Sequence, residues 1–478
     1  MKKDNFSGQK VLVMGLGLHG GGAETAKYLA SRGAEVTVTD LRDEKVLVPS
    51  IERLGSLPIR YVLGRHQMQD FQNADMVVKN PGVRPDSPYL KAARRVETDI
   101  SLFLAVCPAR ISAVTGTKGK STASSALYWV LNEHRKTSGG KAWLGGNISV
   151  SPLSFLDELG ENDDVTLELS SFQLGDLRGR DLLKPRAAVL TCILRDHLDR
   201  YGTMEAYAGD KRLIYRNQDE NDVTVAGTDQ WGRSFLAESR GRPVIFAEEP
   251  LEQGVAGGWI ADPAGPGFAR LWQIPGGDAD CAGRIAEVVP DRPLIPGCHQ
   301  KRNLLAASLA LLDLGVPADF IRNSLERFPG VEHRLEFFHK AGGIRFYNDS
   351  AATIPEAAAA AIDAFRQPPG CPSNLVLVAG GTDKDLDYRP LAAAAGQTKS
   401  LILLAGTGTD KLIPLLDRSG VSYQGPFDSL KPAVQAALEA AVSGDTVLLS
   451  PGATSFGMFL NEFDRGRQWK DAVRNLAG

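Results

Sequence analysis

An α/β fold of three domains, each built on a mostly parallel sheet, is predicted by three features of the sequence. Short apolar runs alternate with alanine-rich and leucine-rich helical segments in three successive blocks, the pattern of parallel strands joined by crossover helices. Two blocks carry a glycine turn directly after a strand: Gly15-Leu16-Gly17-Leu18-His19-Gly20 in the first, and Gly116-Thr117-Lys118-Gly119-Lys120-Ser121-Thr122 in the second. The length of 478 residues exceeds what one core organises, so two or three domains are expected. The blocks read as a Rossmann-like N-terminal domain over 1–108, a central P-loop ATPase-like parallel-sheet domain over 109–330, and a C-terminal Rossmann-like domain over 331–478.

The first block opens with a strand over 10–15, passes the glycine turn into a helix over 23–32, and returns in a strand over 35–40, one βαβ unit. Strands over 59–63 and 76–79 extend the sheet, which ends near Cys107-Pro108. The glycine spacing matches a dinucleotide fingerprint, and Asp40 ends the next strand where a ribose-binding acid would stand. A nicotinamide-dependent dehydrogenase rests on these features alone. The phosphate loop in the following domain favours a nucleotide-bearing substrate in the first block and phosphate chemistry in the second.

In the second block an apolar run over 111–114 precedes the Gly116 loop and a helix over 123–132 follows it. That context makes a phosphate cradle: Gly116 and Gly119 let backbone N–H groups face an anion, Lys120 adds a point charge, and Ser121 or Thr122 offers a hydroxyl to Mg²⁺. Val114 stands where the full Walker spacing has glycine. Strands follow over 165–169, 187–193 and 223–227. Glu168 falls at the carboxyl edge of the first of these, where open α/β sheets bind ligands, and Asp196-His197-Leu198-Asp199-Arg200 lies just beyond the second. A lone histidine carries no metal argument. Beside Lys120, Ser121 and Glu168, His197 becomes a ligand candidate. Lys211, read only from its helical segment over 207–215, is an exposed helix lysine. The stretch 248–290, rich in Gly, Pro and Asp, reads as turns, short strands or a surface excursion.

The third block has strands over 344–347, 375–379, 400–404 and 446–449 and helices over 355–365 and 430–442. His333-Arg334 follows the boundary, and Asn348-Asp349-Ser350 ends a strand, as do Gly380-Gly381-Thr382-Asp383-Lys384 and Ser450-Pro451-Gly452-Ala453-Thr454-Ser455. An arginine there can neutralise a transferring phosphoryl group, and the later turns suit a small carboxylate.

Composition narrows the class. Lys and Arg total 54 against 57 Asp and Glu, which gives no global attraction to nucleic acid or to an anionic membrane. Five scattered cysteines form no Cys-x-x-Cys pair, arguing against zinc and a disulfide framework. The N-terminus lacks an apolar signal core and no apolar run is long enough to span a bilayer. A cytoplasmic protein without membrane insertion is expected.

Taken together, these residues resemble the Mur ligase family across the whole chain, through the Gly15 turn, the Gly116 loop, Gly145-Gly146-Asn147-Ile148, Glu168, Asp196 to Tyr201, Lys211, Gly297-Cys298-His299, His333-Arg334-Leu335-Glu336, the Asn348 turn and the run from Ser450 to Gly466. The resemblance implies an ATP-dependent amide ligase of peptidoglycan precursor synthesis, in which UDP-N-acetylmuramoyl-L-alanine receives a phosphoryl group and the amine of glutamate captures the acyl phosphate. D-Glutamate is favoured, and an L-glutamate-adding relative is the alternative. It implies ATP contacts at Gly116 to Thr122, Asn303, Arg334 and Asp349. Leu18, His19, Asp40, Arg42, Asn80, Gly82, Asn147, Ser170 and Gln173 would contact the UDP-substrate, and Thr353, Lys384, Ser455 and Phe463 the glutamate. It further implies two Mg²⁺ ions at Ser121, Glu168, His197 and a carbamylated Lys211, and a monomer. Lys118 stands where the family commonly has Asn, Ala351 where it has Lys, and Gln300 where Asn usually follows the histidine at 299; the aromatic residue that normally follows Asn461 directly comes one place later, at Phe463. A non-catalytic nucleotide-binding regulator is opposed by Lys120, Glu168, His197 and Lys211 together.

Overall fold

The computed structural model describes residues 6–18, 20–148, 150–270, 272, 283–367 and 370–478. His19, expected at the UDP-substrate, lies outside them. The chain divides into two compact units, Met1–Pro290 with Arg302–Leu325, and Asp291–Lys301 with Glu326–Gly478. No helix among the described residues is long and apolar enough to cross a membrane.

The first unit holds two sheets. The N-terminal sheet contains β1 (Lys10–Met14), β2 (Glu35–Asp40), β3 (Arg60–Leu63), β4 (Met76–Lys79) and β5 (Val96–Glu97) in the order β3-β2-β1-β4-β5, every pair parallel. Alternation along β1 decides its two faces: Val11 and Val13 pack with Ala23, Ala26 and Leu29 of the helix Gly21–Ala30, and Leu12 and Met14 pack with Phe71 and Leu90. Each such aliphatic side chain, fully buried, contributes about 1.5–3 kcal/mol.

The second sheet contains β6 (Arg110–Thr115), β7 (Ala142–Gly146), β8 (Asp164–Glu168), β9 (Ala187–Leu190), β10 (Val223–Gly227), β11 (Arg242–Ala247), β12 (Gly257–Trp259), β13 (Gly267–Arg270) and β14 (Ile285–Val289), ordered β14-β13-β12-β11-β10-β9-β6-β8-β7. The segment 248–290 thus contains three short strands, of which β12 joins β11 in parallel while β13 and β14 add antiparallel edges; 271 and 273–282 lie outside the described residues. After the Gly116 loop the helix runs Lys120–Ser138, longer than its apolar pattern suggested. Arg135 and Lys136 favour its C-terminal dipole, and Gly139, at φ 83, ends it.

The second unit carries β15 (Glu336–Ala341), β16 (Ile344–Asn348), β17 (Leu375–Gly380), β18 (Ser400–Leu404), β19 (Gln424–Phe427) and β20 (Thr446–Leu449), ordered β15-β16-β20-β17-β18-β19. Among the described residues of this sheet, β15 pairs antiparallel and the other strands pair in parallel. Leu377 and Leu403 face one core of this sheet, and Val376 and Ile402 the other.

Candidate active site

The glycine loop after β6 is held from below by the segment after β9. Thr117 N donates to Cys192 O at 2.7 Å, Leu194 N donates to Thr117 Oγ1 at 3.0 Å, and Thr191 and Cys192 side chains reach Lys118 O. Gly116 needs to be glycine: its φ is 151°, and a Cβ there would meet Thr191 Oγ1 at 2.0 Å. At Gly119 a Cβ would meet Asn303 Oδ1 at 2.2 Å, so the Asn303 amide lies against the loop. Gly119 opens the helix Lys120–Ser138 without a side-chain cap, so Ser121 and Thr122 fall in a first turn whose N–H groups favour an anion. Lys118 is exposed. Lys120 Nζ donates to Gly116 O and Thr117 O, both at 3.0 Å. Burial holds its ammonium below the ordinary lysine range, with Glu168 acting in the opposite sense.

The carboxyl ends of β4, β6, β7, β8 and β9 converge on one cleft of about 500 Å³. The first sheet supplies Asn80 and Gly82, and the second supplies Lys120, Asn147, Ser170, Gln173, His197 and Lys211. Asn80 Oδ1 accepts from Gly82 N at 3.0 Å, closing a turn. Ser170 and Gln173 form a reciprocal capping box on the helix Ser171–Gly175. Glu168 is buried beneath Asn147, whose Nδ2 donates to Glu168 Oε1 at 3.0 Å. Its second oxygen, Oε2, is buried with no hydrogen-bond partner among the described residues. A carboxylate oxygen left without a donor is unfavourable unless a cation completes it, so the chemistry of Glu168 fits a divalent ion.

Lys211 corrects the expectation of an exposed helix lysine. It ends the helix Met204–Lys211 and is 1% exposed, because Nζ points inward and donates to Gly116 O at 2.8 Å. Burial, then the Lys120 charge, lowers its ammonium to about 7. A buried amine that loses its proton near neutrality is a nucleophile toward carbon dioxide. His197 adopts φ 52° and packs its ring against Phe172 at 4.9 Å, with Asp196 Oδ2 3.8 Å from Nε2.

Leu18, Asp40 and Arg42 are not among the lining residues of this cleft. Asp40 instead holds the first glycine turn, accepting from Gly17 N at 3.1 Å and Arg42 N at 2.9 Å; Leu18 and Arg42 are exposed.

In the second unit, Asp349 is buried and accepts from Ser450 Oγ at 2.6 Å and Leu335 N at 3.2 Å. Burial nonetheless pushes its carboxyl up to about 7. Arg334 is exposed between His333 and Leu335, both at positive φ. Ser455 lines a smaller cleft of about 240 Å³ with Thr382 and Arg465. Thr353, Lys384 and Phe463 are not among its lining residues; Lys384 is exposed, and the Phe463 ring packs on His333 with centroids 5.4 Å apart.

Sequence reasoning missed several groups at these sites. Asp99, Phe172 and Tyr207 line the larger cleft, and Tyr207 Oη lies 3.0 Å from Thr117 Oγ1. Arg465, fully buried, binds Ser350 and Ala453 O through three hydrogen bonds. The loop contacts of Thr191 and Cys192 were missed as well, because the sequence places both inside the strand expected over 187–193, which ends at Leu190.

Residues 9–101 match the Mur ligase MurD-like N-terminal domain, 114–256 the Mur ligase middle domain and 333–452 the Mur ligase glutamate ligase domain. The UDP-N-acetylmuramoylalanine--D-glutamate ligase of Roseiflexus sp. (strain RS-1) is 42% identical, over 98% of this chain and 99% of its own. The protein of the same name from Treponema pallidum (strain Nichols) is 38% identical over 98% of each. Among solved structures, the UDP-N-acetylmuramate-alanine ligase of Thermotoga maritima shares the fold with a TM-score of 0.57 at 20% identity, covering 98% of this chain and 99% of that one. Three domain matches in order and relatives aligned along nearly their full length lead to one conclusion: the chain belongs to the Mur ligase family.

Proposed function

We propose that this protein joins D-glutamate to UDP-N-acetylmuramoyl-L-alanine with consumption of ATP, in peptidoglycan precursor synthesis. The reading rests on one cleft that holds Lys120, His197 and Lys211 beside Asn80, Gly82 and Asn147, in a chain whose relatives carry that enzyme's name. The alanine carboxylate attacks the γ-phosphorus, ADP leaves, and an acyl phosphate forms. The glutamate amine then attacks the carbonyl carbon and phosphate departs.

Both steps bring anions together, so fixed cations and oriented donors carry the catalysis. Lys120 and the amides of Gly116 to Thr122 hold the β- and γ-phosphates, Asn303 and Asp349 the adenosine, and Arg334 the phosphate charge. Leu18, His19, Asp40, Arg42, Asn80 and Gly82 take the UDP portion, while Asn147, Ser170 and Gln173 orient the muramoyl-alanine end. Thr353, Lys384, Ser455 and Phe463 receive glutamate. Ser121 and Glu168 would hold one Mg²⁺, and His197 with a carbamylated Lys211 a second. Mg²⁺, when bound, supplies charge neutralisation between phosphate and carboxylate oxygens. Lys211 Nζ, whose ammonium is lowered to about 7, adds in its unprotonated form to carbon dioxide with loss of one proton to solvent, exchanging a cation for a carboxylate. Domains over 1–108, 109–330 and 331–478, a monomeric state and a cytoplasmic location complete the reading.

Phosphate release with UDP-N-acetylmuramoyl-L-alanine, ATP and Mg²⁺, compared between D-glutamate, L-glutamate and other amino acids, tests reaction and stereochemistry at once. Hydroxylamine should trap a hydroxamate during turnover. Lys120→Ala should abolish phosphate release yet bind the UDP-substrate within a few-fold of the parent. Turnover without hydroxamate would refute the acyl phosphate, and faster use of L-glutamate would reassign the substrate.

A further inference from the structure

Lys79 ends β4 and immediately precedes the Asn80 turn. It is 4% exposed, and its ammonium sits between two elements: Nζ donates to Asp176 Oδ2 at 2.6 Å and to Val83 O at 3.3 Å. Val83 closes the turn through Val83 N to Asn80 O at 3.0 Å. Asp176 caps the C-terminal end of the helix Ser171–Gly175, whose other end presents Ser170 and Gln173. Asn80, Pro81 and Gly82 form one wall of the 500 Å³ cleft, and Ser170, Phe172 and Gln173 another. One ammonium group is therefore bonded to the turn that carries one wall and to the end of the helix that carries the other, through residues 97 positions apart in the chain.

A buried ion pair is a weak source of net stability, since losing hydration offsets most of its attraction. What it supplies is a fixed distance. Three further polar links cross between the same two sheets' elements: Arg32 to Asp157 Oδ1 at 2.7 Å, Arg180 to Glu97 and Val96 O, and Ser151 Oγ to Asp99 Oδ2 at 3.0 Å. Of these links, the Lys79 ammonium is the one that joins the Asn80 turn to the C-terminal end of the helix Ser171–Gly175.

We propose that Lys79 and Asp176 are positioning residues for the UDP-linked substrate: their buried pair sets the separation between the Asn80 turn and the Ser170 helix, and so holds the nucleotide-bearing and reacting ends of that substrate in one register. The inference rests on the proposed function and deepens it. Among the described residues no hydrogen bond or ion pair joins either one to the phosphate loop, so KM for ATP should not depend on them.

The test is steady-state kinetics of the full chain carrying Lys79→Met, Asp176→Asn, the apolar double replacement K79M/D176L, and Lys79→Arg. The double replacement fills the same buried space without leaving one charge unpaired, so it keeps a folded protein even where a single variant fails. KM for UDP-N-acetylmuramoyl-L-alanine should rise about tenfold or more in K79M/D176L, with kcat and KM for ATP within about twofold of the parent. Lys79→Arg should restore most of the loss. An unchanged KM for the UDP-substrate in the double variant would overturn the inference, as would parallel losses in all three parameters tracking the melting temperature. A parent protein that releases no phosphate with this substrate would overturn the proposed function itself, and is recognised before any variant is measured.

Discussion

Asp349→Asn probes how strongly the second unit pays for a buried acid. The Asp349 carboxyl is almost fully enclosed, and burial raises it from 3.8 to about 7 despite the Ser450 hydroxyl and the Leu335 amide that hydrogen-bond to it. Between those two values the folded state keeps a proton that the unfolded chain has released. The stability associated with the protonated acid is thus complete below about pH 4 and is lost as pH rises through about 7. At about 1.4 kcal/mol per pH unit, the interval amounts to roughly 4 kcal/mol as an upper bound. Asparagine carries no charge, keeps an acceptor for Leu335 N, and offers an amide to which the Ser450 oxygen can turn. Relative to the parent, the variant should be about 1 kcal/mol less stable near pH 4, from one poorer hydrogen bond. At pH 8 it should be more stable by up to about 3 kcal/mol. Urea unfolding of both proteins at a series of pH values measures the difference, in which all other titrating groups cancel. A difference that stays constant within about 0.5 kcal/mol from pH 4 to 8 would show that Asp349 titrates alike folded and unfolded, and the desolvation argument would fail.

Gly116→Ala should lose ATP binding by about a hundredfold or more and melt lower, because the new Cβ meets Thr191 Oγ1 at 2.0 Å on a backbone of φ 151°; parent-like ATP titration would contradict the close approach. Lys118→Asn, altering an exposed side chain, should raise KM for ATP by no more than about fivefold at low salt, and the effect should vanish at about 0.5 M salt. A larger, salt-insensitive effect would mean that Lys118 folds onto the phosphates. With ¹³C-bicarbonate near pH 7.5 the parent should show a carbamate carbon signal that Lys211→Ala lacks. Identical spectra would refute modification of the Lys211 amine, whose value of about 7 leaves it largely uncharged there.

Much of the fold was legible because strand signals are local. The strands expected over 35–40, 76–79, 223–227, 400–404 and 446–449 have those bounds in the structure, each being an apolar or β-branched run closed by a turn residue. The 123–132 helix was underestimated because its flanks, Lys120 to Thr122 and Glu133 to Ser138, are polar and carry no apolar period. The segment 248–290 stayed unresolved for another reason: β12 and β13 contain Gly257, Gly258 and Gly267, and such strands are specified by their neighbours' backbones. The ring contact of Phe463 with His333 was not legible, because it depends on the Asn461 cap, which starts the helix Glu462–Ala477, and on a histidine 130 positions earlier in the chain.

The sequence by itself determined the βαβ units, the phosphate loop and its lysine, and the carboxylate at the end of β8, since each depends on neighbours a few positions away. Only the tertiary structure decided which charges lose their water. Lys211 becomes a buried amine beside Gly116, Glu168 Oε2 is left without a donor among the described residues, and Lys79 meets Asp176 across two domains. Desolvation is set by every group that packs around a charge, and in a parallel sheet with crossover helices those groups come from distant stretches of chain.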